Sequence, residues 1–318
     1  MVNDLNWNFI KSNILRFNQN VKNKSLGGGI IRYWCSELYC FARFGCSPDD
    51  YFRYQFYKKS NLERNKFITY RRSQQIIKKY NKTEYISYLS NKVEFNKFFK
   101  DYIHRDWLDL RETDENTFRE FLIKHREVLL KPLNGGQGKG IFKLSLEDYC
   151  KERFPDYKEY IAEELLRQHS QMASLNPTSV NTVRVLTFKG KIVACAMRIG
   201  GEGAIVDNLH SNGVCAHLDL ETGIVDSPCI NNHYDYFLFH PSSKVQLVGF
   251  KVPNWETVKA EVVKAAKSIP QIAYIGWDVA VLENGVALIE GNHDPGHDVV
   301  QMIAQTGLYQ TLIEIVHC

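Results

Sequence analysis

The chain has 318 residues and a formal net charge of +4, with 44% hydrophobic and 24% charged residues. This length predicts about two domains, and the composition is typical of globular proteins. The amino terminus lacks the pattern of a signal peptide, and no uncharged run approaches the ~20 residues that cross a bilayer. We therefore expect a cytoplasmic protein without a membrane span.

Positive charge is concentrated in the first 100 residues, which carry 19 lysines and arginines against 7 acidic residues; the remaining residues carry 21 against 29. A basic region of this kind invites an acidic partner, such as nucleic acid, a membrane surface or a phosphorylated substrate. Lysines on the solvated faces of helices account for the same charge. No nucleic-acid motif accompanies it, so we expect no nucleic-acid partner.

The segment around Lys92 predicts a short helix. Ser90 or Asn91 can cap its amino end, which places Lys92 in the first turn. A cation is unfavourable there unless a strong anion compensates it, because the helix dipole is positive at that end. Lys92 is therefore a candidate anion-binding residue.

Residues 128–145 predict a β-hairpin with a glycine-rich loop. An apolar run containing Lys131 enters the loop, which contains Lys139. Backbone amides of glycines can close over phosphates at little steric cost, and the spacing is not that of a Walker loop. A mobile turn would have the same composition, but the two lysines favour a phosphate cover. Its glycines are Gly135, Gly136, Gly138 and Gly140.

Residues 160–166 predict a strand that ends in paired acids, Glu163 and Glu164. Backbone groups at such a position can contact a nucleobase, and a carboxylate can contact a ribose. Paired acids at a strand end are also common on solvent-facing edges.

Two further predicted strands, residues 180–188 and 191–199, carry Arg184 and Arg198 among apolar residues. Unpaired charge is costly in such surroundings. Surface salt bridges would satisfy either arginine. Two inward guanidiniums aimed at an anion fit better, because their planar form matches phosphate or carboxylate oxygens.

Four polar side chains, in the first of these strands or farther along the chain, are candidates for contact with a substrate. His210 could act as a base, although a loop histidine satisfied by its neighbours has the same pattern. The other candidate contacts are Asn181, Asn208 and His293.

Residues 276–292 predict a β-hairpin whose register decides the chemistry. A three-residue turn pairs Leu282 with Val286, and therefore Asp278 with Glu290. A two-residue turn would put the two carboxylates on opposite faces, because a slip of one residue reverses every side chain. We expect the three-residue turn.

Asn292 then shares the face of Glu290, since strand side chains repeat with a period of two. Like charges opposite each other destabilise a strand pair, so Asp278 and Glu290 need a reason to meet. A solvated hairpin is one interpretation. A hard cation such as Mg²⁺, which prefers oxygen ligands, is the other, and the upstream motifs favour it.

These motifs together resemble the ATP-grasp superfamily, and within it the sugar-transfer-associated ATP-grasp proteins. The similarity covers roughly residues 40–305. It rests on KPLNGGQGKGI, EELL, SVNTVRVLT, MRIGGEGAIVDN, HPSSKVQLVGFKVPNW, GWDVAV and IEGNHDPG in that order.

The resemblance implies an α+β fold in which two α+β lobes enclose ATP, with a mostly helical amino-terminal region. The implied domains are residues 1–85, the helical region, residues 86–166, the small lobe with the glycine-rich flap, and residues 167–318, the large lobe with the magnesium site.

It also implies a role for each candidate. Residues near the nucleotide are the phosphate-binding Lys92 and Lys131, the flap residues Gly135, Gly136, Gly138, Lys139 and Gly140, the adenine-contacting Glu163, Glu164 and Leu166, and His169 near the ribose position. Arg184 and Arg198 would steady the transferred phosphate. The magnesium ligands would be Asp278, Glu290 and Asn292.

The implied activity is an ATP- and Mg²⁺-dependent ligase that joins a carboxylate to an amine or another nucleophile through an acyl phosphate. The implied small-molecule substrates are a sugar or polysaccharide precursor or an amino acid. A phosphotransferase and a non-catalytic nucleotide-binding module are the alternatives. Replacing Asp278 or Glu290 with alanine is expected to abolish turnover and leave the fold intact.

Overall fold

The computed structural model describes residues 14–15, 17–22, 27, 29–134, 138–205, 207 and 212–317. The chain divides into two compact units, Met1–Lys79 with Ala304–Cys318, and Tyr80–Ile303. No helix within the described ranges is long and apolar enough to cross a membrane.

The first unit is helical, as expected for the amino-terminal region. Its core is a cluster of aromatic rings, in which Phe56 lies 5.5 Å from Phe67 and edge-on to it. Residues 17–22 are helical. The other α-helices among the described residues of this unit are α1 (Ile30–Phe44), α2 (Pro48–Arg53), α3 (Asn61–Arg64), most of α4 (Tyr70–Tyr80) and, from the carboxyl terminus, α12 (Tyr309–His317).

The second unit contains a four-stranded antiparallel sheet with the order β1-β4-β2-β3. Its elements are β1 (Trp107–Asp109), α8 (Glu115–His125), β2 (Glu127–Pro132), β3 (Phe142–Ser145), a 3₁₀ segment (Lys151–Glu159) and β4 (Tyr160–Glu164). β2 and β3 form the predicted hairpin on either side of the glycine-rich loop, with Leu130 opposite Phe142.

A seven-stranded antiparallel sheet, with the order β11-β10-β5-β6-β7-β8-β9, forms the rest of this unit. The strands are β5 (Thr182–Phe188), β6 (Lys191–Ile199), β7 (Val214–His217), β8 (Cys229–Ile230), β9 (Tyr236–Phe237), β10 (Tyr274–Leu282) and β11 (Gly285–Asn292), and the accompanying helices are α9 (Ser170–Leu175), α10 (Trp255–Ser268) and α11 (His297–Ala304). Because β10 lies in the interior of the sheet, its residues are buried almost throughout.

Three short helices precede the small sheet but pack with the large one. They are α5 (Ser87–Ser90), α6 (Lys92–Phe98) and α7 (Lys100–Ile103). Phe99 lies edge-on to Trp277 of β10 at 5.3 Å and belongs to the core of the large sheet. The start of the segment that the resemblance implies for the small lobe thus packs on the large sheet, and the last fifteen residues group with the amino-terminal helices. The implied domain bounds stay a prediction.

The β10–β11 hairpin reaches the expected pairing by an unexpected route. Leu282 pairs with Gly285, so the turn has two residues and the predicted pairing with Val286 is wrong. A register shift then leaves Ile289 as an extra residue, and Asp278 faces Glu290. Because a β-bulge inserts one residue into one strand, it restores the alignment that the shorter turn would have lost.

Candidate active site

One cleft in the second unit brings most of the predicted site residues together. Its volume is about 620 Å³, within the usual range of small-molecule sites. The predicted residues that line it are Lys92, Lys131, Gly138, Lys139, Glu163, Glu164, Leu166, Arg184, Asp278, Glu290 and Asn292.

Lys131 is held by a buried carboxylate. Its Nζ lies 2.6 Å from Oε2 of Glu163. Arg105 places Nε 3.0 Å from the same oxygen, and Nδ2 of Asn96 donates to Oε1 at 2.9 Å. The Glu163 side chain therefore holds Lys131 and Arg105 in place, and the contact of this segment with adenine stays a prediction.

The ion pairs also control the protonation of Glu163. Burial alone would raise its pKa, but Arg105 and Lys131 outweigh burial and hold the pKa far below its ordinary value. Glu163 is thus ionised at neutral pH. Sequence reasoning missed Arg105 and Asn96, because neither lies in a recognisable motif and both act only through tertiary contacts.

Lys92 begins α6 as predicted. The side chain of Asn91 caps the helix by accepting hydrogen bonds from the backbone N–H groups of Val93 and Glu94. Burial lowers the pKa of Lys92, and the nearby carboxylate of Glu290 opposes that effect. An acidic group thus supplies the compensating negative charge that this helix position requires.

The described residues of the glycine-rich loop have two roles, lining the cleft and shaping the hairpin. Gly138 and the exposed Lys139 line the cleft. Gly140 has φ +74°, and a Cβ there would come 2.9 Å from Cγ of Pro132, so this glycine serves the hairpin and does not line the cleft. Gly135 and Gly136 lie outside the described residues.

The segment after β4 lines the cleft at Leu166 but departs from it at His169. Nδ1 of His169 accepts a hydrogen bond from the backbone of Gln171 at the start of α9, and Nε2 lies 3.5 Å from Glu283. His169 does not line the cleft, and its expected place near the ribose stays a prediction. Glu164 accepts from the backbone N–H of Asp106 at 3.1 Å, which fixes the junction between β1 and β4.

Asp278 is buried between two arginines. Its Oδ2 accepts from Arg184 at 2.9 Å and from Arg198 at 2.8 Å. Its Oδ1 lies 2.7 Å from Nε of Arg184 but has no hydrogen bond of proper geometry from the described residues. Burial alone would raise the pKa of Asp278, but the two arginines outweigh it, so the pKa is lowered and the group stays ionised.

Glu290 and Asn292 stand beside this carboxylate on the predicted common face. Nδ2 of Asn292 donates to Oε1 of Glu290 at 3.2 Å. Desolvation in the cleft, and then the charge of Asp278, raise the pKa of Glu290. Two carboxylates and a carboxamide oxygen, one carboxylate oxygen being buried without a hydrogen bond, form a donor set that fits Mg²⁺.

Asp207 extends this cluster and was not singled out from the sequence. It lines the cleft, lies 3.6 Å from Arg198, and accepts hydrogen bonds from the backbone and hydroxyl of Thr182. Burial raises its pKa, whereas Arg198 opposes that shift. Arg198 does not line the cleft and forms ion pairs with two aspartates, Asp207 and Asp278, and its contact with phosphate stays a prediction.

The two described candidates for contact with a second substrate, Asn181 and His293, do not line the cleft. Asn181 is fully buried, and its Nδ2 donates to Gln168, Met172 and Asn176 within the core, which rules out direct contact with a substrate. His293 is described but does not line the cleft. Asn208 and His210 lie outside the described residues.

A family model described as sugar-transfer associated ATP-grasp matches residues 154–317. This chain belongs to the sugar-transfer-associated ATP-grasp family. The match contains β4 to β11 and therefore the whole acidic cluster, and it establishes the expected α+β ATP-grasp fold. It begins after Lys92, Lys131 and the glycine-rich loop, so the placement of those residues in the cleft stands on the geometry alone.

Solved ATP-grasp structures resemble this family member at low identity. The ligase PsnB in complex with a minimal precursor, Mg and ADP is 15% identical, with 75% of this chain and 61% of that chain covered and a TM-score of 0.47. D-alanine–D-alanine ligase from Bacillus anthracis with ATP is 13% identical, covering 72% and 61%, with a TM-score of 0.41. D-cycloserine synthetase DcsG is 11% identical, covering 73% and 71%, with a TM-score of 0.40.

The ATP-grasp chain described here thus spans about three fifths of the length of PsnB. A search of curated protein sequences found no match.

Proposed function

We propose that this ATP-grasp protein is an ATP- and Mg²⁺-dependent ligase that activates a carboxylate as an acyl phosphate and joins it to an amine or another nucleophile. The observation that carries the proposal is the arrangement of charge in one cleft. Cationic side chains around Glu163 lie on one side, and an acidic cluster around Asp278 lies on the other. A nucleoside triphosphate with its divalent cation requires both.

The reaction balances in two steps. An oxygen of the substrate carboxylate attacks the γ-phosphorus, and the bond to the bridging oxygen breaks to release ADP. The amine nitrogen then attacks the acyl carbon, the carbon–oxygen bond to phosphate breaks, and the nitrogen loses a proton. The products are an amide, ADP and inorganic phosphate.

The protein contributes position and charge to these steps. Lys131 and Lys92 would bind the phosphates, and Gly138 and Lys139 would cover them. Arg184, oriented by Asp278 and by the carbonyl of Pro295, would face the transferred phosphoryl group. Asp278, Glu290 and Asn292 would hold Mg²⁺, which when bound neutralises charge on the triphosphate.

The family name and the cleft together support a small-molecule substrate, and we propose a sugar or polysaccharide precursor or an amino acid. The test is an ADP-release screen of carboxylic acids, each with and without amino acids and amino sugars. Phosphate released in step with ADP, and only when carboxylate and amine are both present, supports a ligase. A phosphorylated product without phosphate release would instead make the protein a phosphotransferase.

Glu290→Gln provides the site-specific arm of this test, because it removes one metal-binding charge with little change in shape. Glu283→Gln is its matched control, since Glu283 lies at the turn of the same hairpin and contacts the backbone N–H of Ser170. We expect Glu290→Gln to lose turnover and Glu283→Gln to keep it. Equal activity in both variants would contradict the metal assignment, and absence of ATP consumption by the unmodified protein across the screen would favour a non-catalytic nucleotide-binding module.

A further inference from the structure

Arg105 lies where the chain crosses from one sheet to the other. α7 ends at Ile103 in the core of the large sheet, and β1 begins at Trp107 in the small sheet. His104 turns the chain with φ +44°, and Asp106 is fixed by its backbone hydrogen bonds to Glu164. The crossing is therefore short and well defined, and the side chain of Arg105 is only 1% exposed.

One part of the Arg105 guanidinium contacts the phosphate side of the cleft. Nη2 donates to Oε1 of Glu163 at 3.0 Å and to Oδ1 of Asn96 at 3.1 Å. Glu163 in turn holds Lys131. The position of the lysine ammonium thus depends on a carboxylate that Arg105 helps to orient.

The same guanidinium also contacts the metal side of the cleft. Nη1 donates to the carbonyl of Leu288 at 2.7 Å, and Nη2 approaches the carbonyl of Ile289 at 3.3 Å. β11 is the edge strand of the large sheet, and these two carbonyls belong to the bulge. The bulge is the feature that brings Glu290 opposite Asp278.

We propose that Arg105 is a positioning residue that couples the two sides, so that Mg²⁺ and nucleotide strengthen each other's binding through it. The inference rests on the proposed function. Its physical basis is the rigid planar guanidinium, whose several donors have a fixed geometry. If Glu163 moves with Lys131, or the bulge moves with Glu290, a buried donor or acceptor loses its partner, so the two movements are linked energetically.

A lysine cannot reproduce this linkage. The lysine ammonium can stay beside Glu163, but it lacks the planar set of N–H donors with which a guanidinium reaches Glu163 and both bulge carbonyls together. Arg105→Lys therefore keeps the buried positive charge while removing the bridge, and Arg105→Met removes both. The matched control is Arg111→Met, which removes an exposed arginine that pairs with Asp109 at the end of β1.

The experiment measures ADP affinity by calorimetry over a series of Mg²⁺ concentrations for the full chain and the three variants. In the unmodified protein we expect Mg²⁺ to tighten ADP binding about 10-fold or more, a usual size for coupling between sites. Arg105→Lys and Arg105→Met should reduce that enhancement to about 3-fold or less, whereas Arg111→Met should retain it. If Arg105 only stabilised the fold, its replacement would lower the unfolding temperature and leave the Mg²⁺ enhancement of ADP binding unchanged.

A second readout needs no ligand. Hydrogen exchange in peptides covering residues 285–292 should be faster in Arg105→Lys than in Arg111→Met, because the bulge carbonyls lose their donor. If the unmodified protein binds ADP without any Mg²⁺ effect, or fails to bind, the proposed function fails. If it shows the effect and Arg105→Lys shows it equally, with unchanged exchange, the coupling role alone is overturned. If Arg105→Met does not fold, the ADP binding and hydrogen exchange of Arg105→Lys alone test the coupling role.

Discussion

The two sides of the cleft carry formal charges of opposite sign. On the phosphate side three cations stand against one acid, a formal surplus of +2, and on the metal side two cations stand against three acids, a formal deficit of −1. The phosphate side comprises Lys92, Arg105, Lys131 and Glu163, and the metal side comprises Arg184, Arg198, Asp207, Asp278 and Glu290. Each side therefore lacks the charge that the triphosphate or the divalent cation would supply.

Two acids predicted to contact nucleotide or metal, Glu163 and Asp278, form ion pairs with neighbouring cations. Glu163 is surrounded by donors on both oxygens, so it is an anchor. Asp278 accepts hydrogen bonds from Arg184 and Arg198 on Oδ2, and its Oδ1 lies 2.7 Å from Nε of Arg184. Cations contact both oxygens of each acid, and Asp278 differs from Glu163 in having two further carboxylates beside it, Asp207 and Glu290.

The largest expected effect comes from Asp278→Ala. Because it leaves two buried guanidiniums without their shared carboxylate, we expect a loss of about 3–5 kcal/mol in the free energy of unfolding together with loss of turnover. This changes the sequence-based expectation that the fold would be unaffected. Urea denaturation measures the difference, with Glu290→Ala as the comparison. Similar stability in the two variants would show that the arginines do not depend on Asp278.

The next largest effect is expected from Glu163→Gln, and it depends on pH. The pKa of folded Glu163 is lowered, so its ion pairs stabilise the protein above the unfolded-state pKa of about 4.3, and this stability is lost as the pH falls below that value. We expect the stability difference between the unmodified protein and Glu163→Gln to be largest near pH 7 and to shrink below about pH 4.3.

Denaturation by urea at pH 7 and at pH 3.5 tests this dependence. Glu164→Gln is the control, since that neighbouring carboxylate is 40% exposed and is not enclosed by cations. A difference for Glu163→Gln that does not change with pH would contradict the ion-pair account.

A smaller effect is expected from Lys131→Met, which removes one charge from the phosphate side. Glu163 keeps Arg105, so the fold should survive, and ADP affinity should fall about 10- to 100-fold, the equivalent of one strong charge-assisted contact. Calorimetry measures the affinity, and Lys97→Met, on the exposed face of α6, is the matched control. Equal affinities would remove Lys131 from the nucleotide site.

The smallest effect tests how Lys92 is placed. Asn91→Ala removes the helix cap and should lower the free energy of unfolding by about 1 kcal/mol. Because the cap sets the first turn of α6, ADP binding should weaken slightly in parallel. Thermal denaturation and the same binding assay measure both. Asn91→Asp, which preserves the cap, should restore stability; if it does not, the cap is not the cause.

The amino-acid sequence determined the local elements and the order of the motifs. Hairpin signals around Lys131 and Glu290 and the cap at Asn91 depend on neighbours a few residues away, and the structure confirms the two hairpins and the cap. The facing of Asp278 and Glu290 was also correct, although the turn was not, because one extra residue in a bulge has the same effect on alignment as one extra residue in a turn.

Only the tertiary structure decided which charges are partners. Arg105 meets Glu163 and Leu288 at separations of 58 and 183 residues, and Arg198 meets Asp278 at 80. No local pattern encodes such pairs, since a charged residue in a loop has the same neighbours in sequence whether it faces solvent or a buried carboxylate. The difference arises from desolvation, which makes a charge seek a partner only after folding has enclosed it.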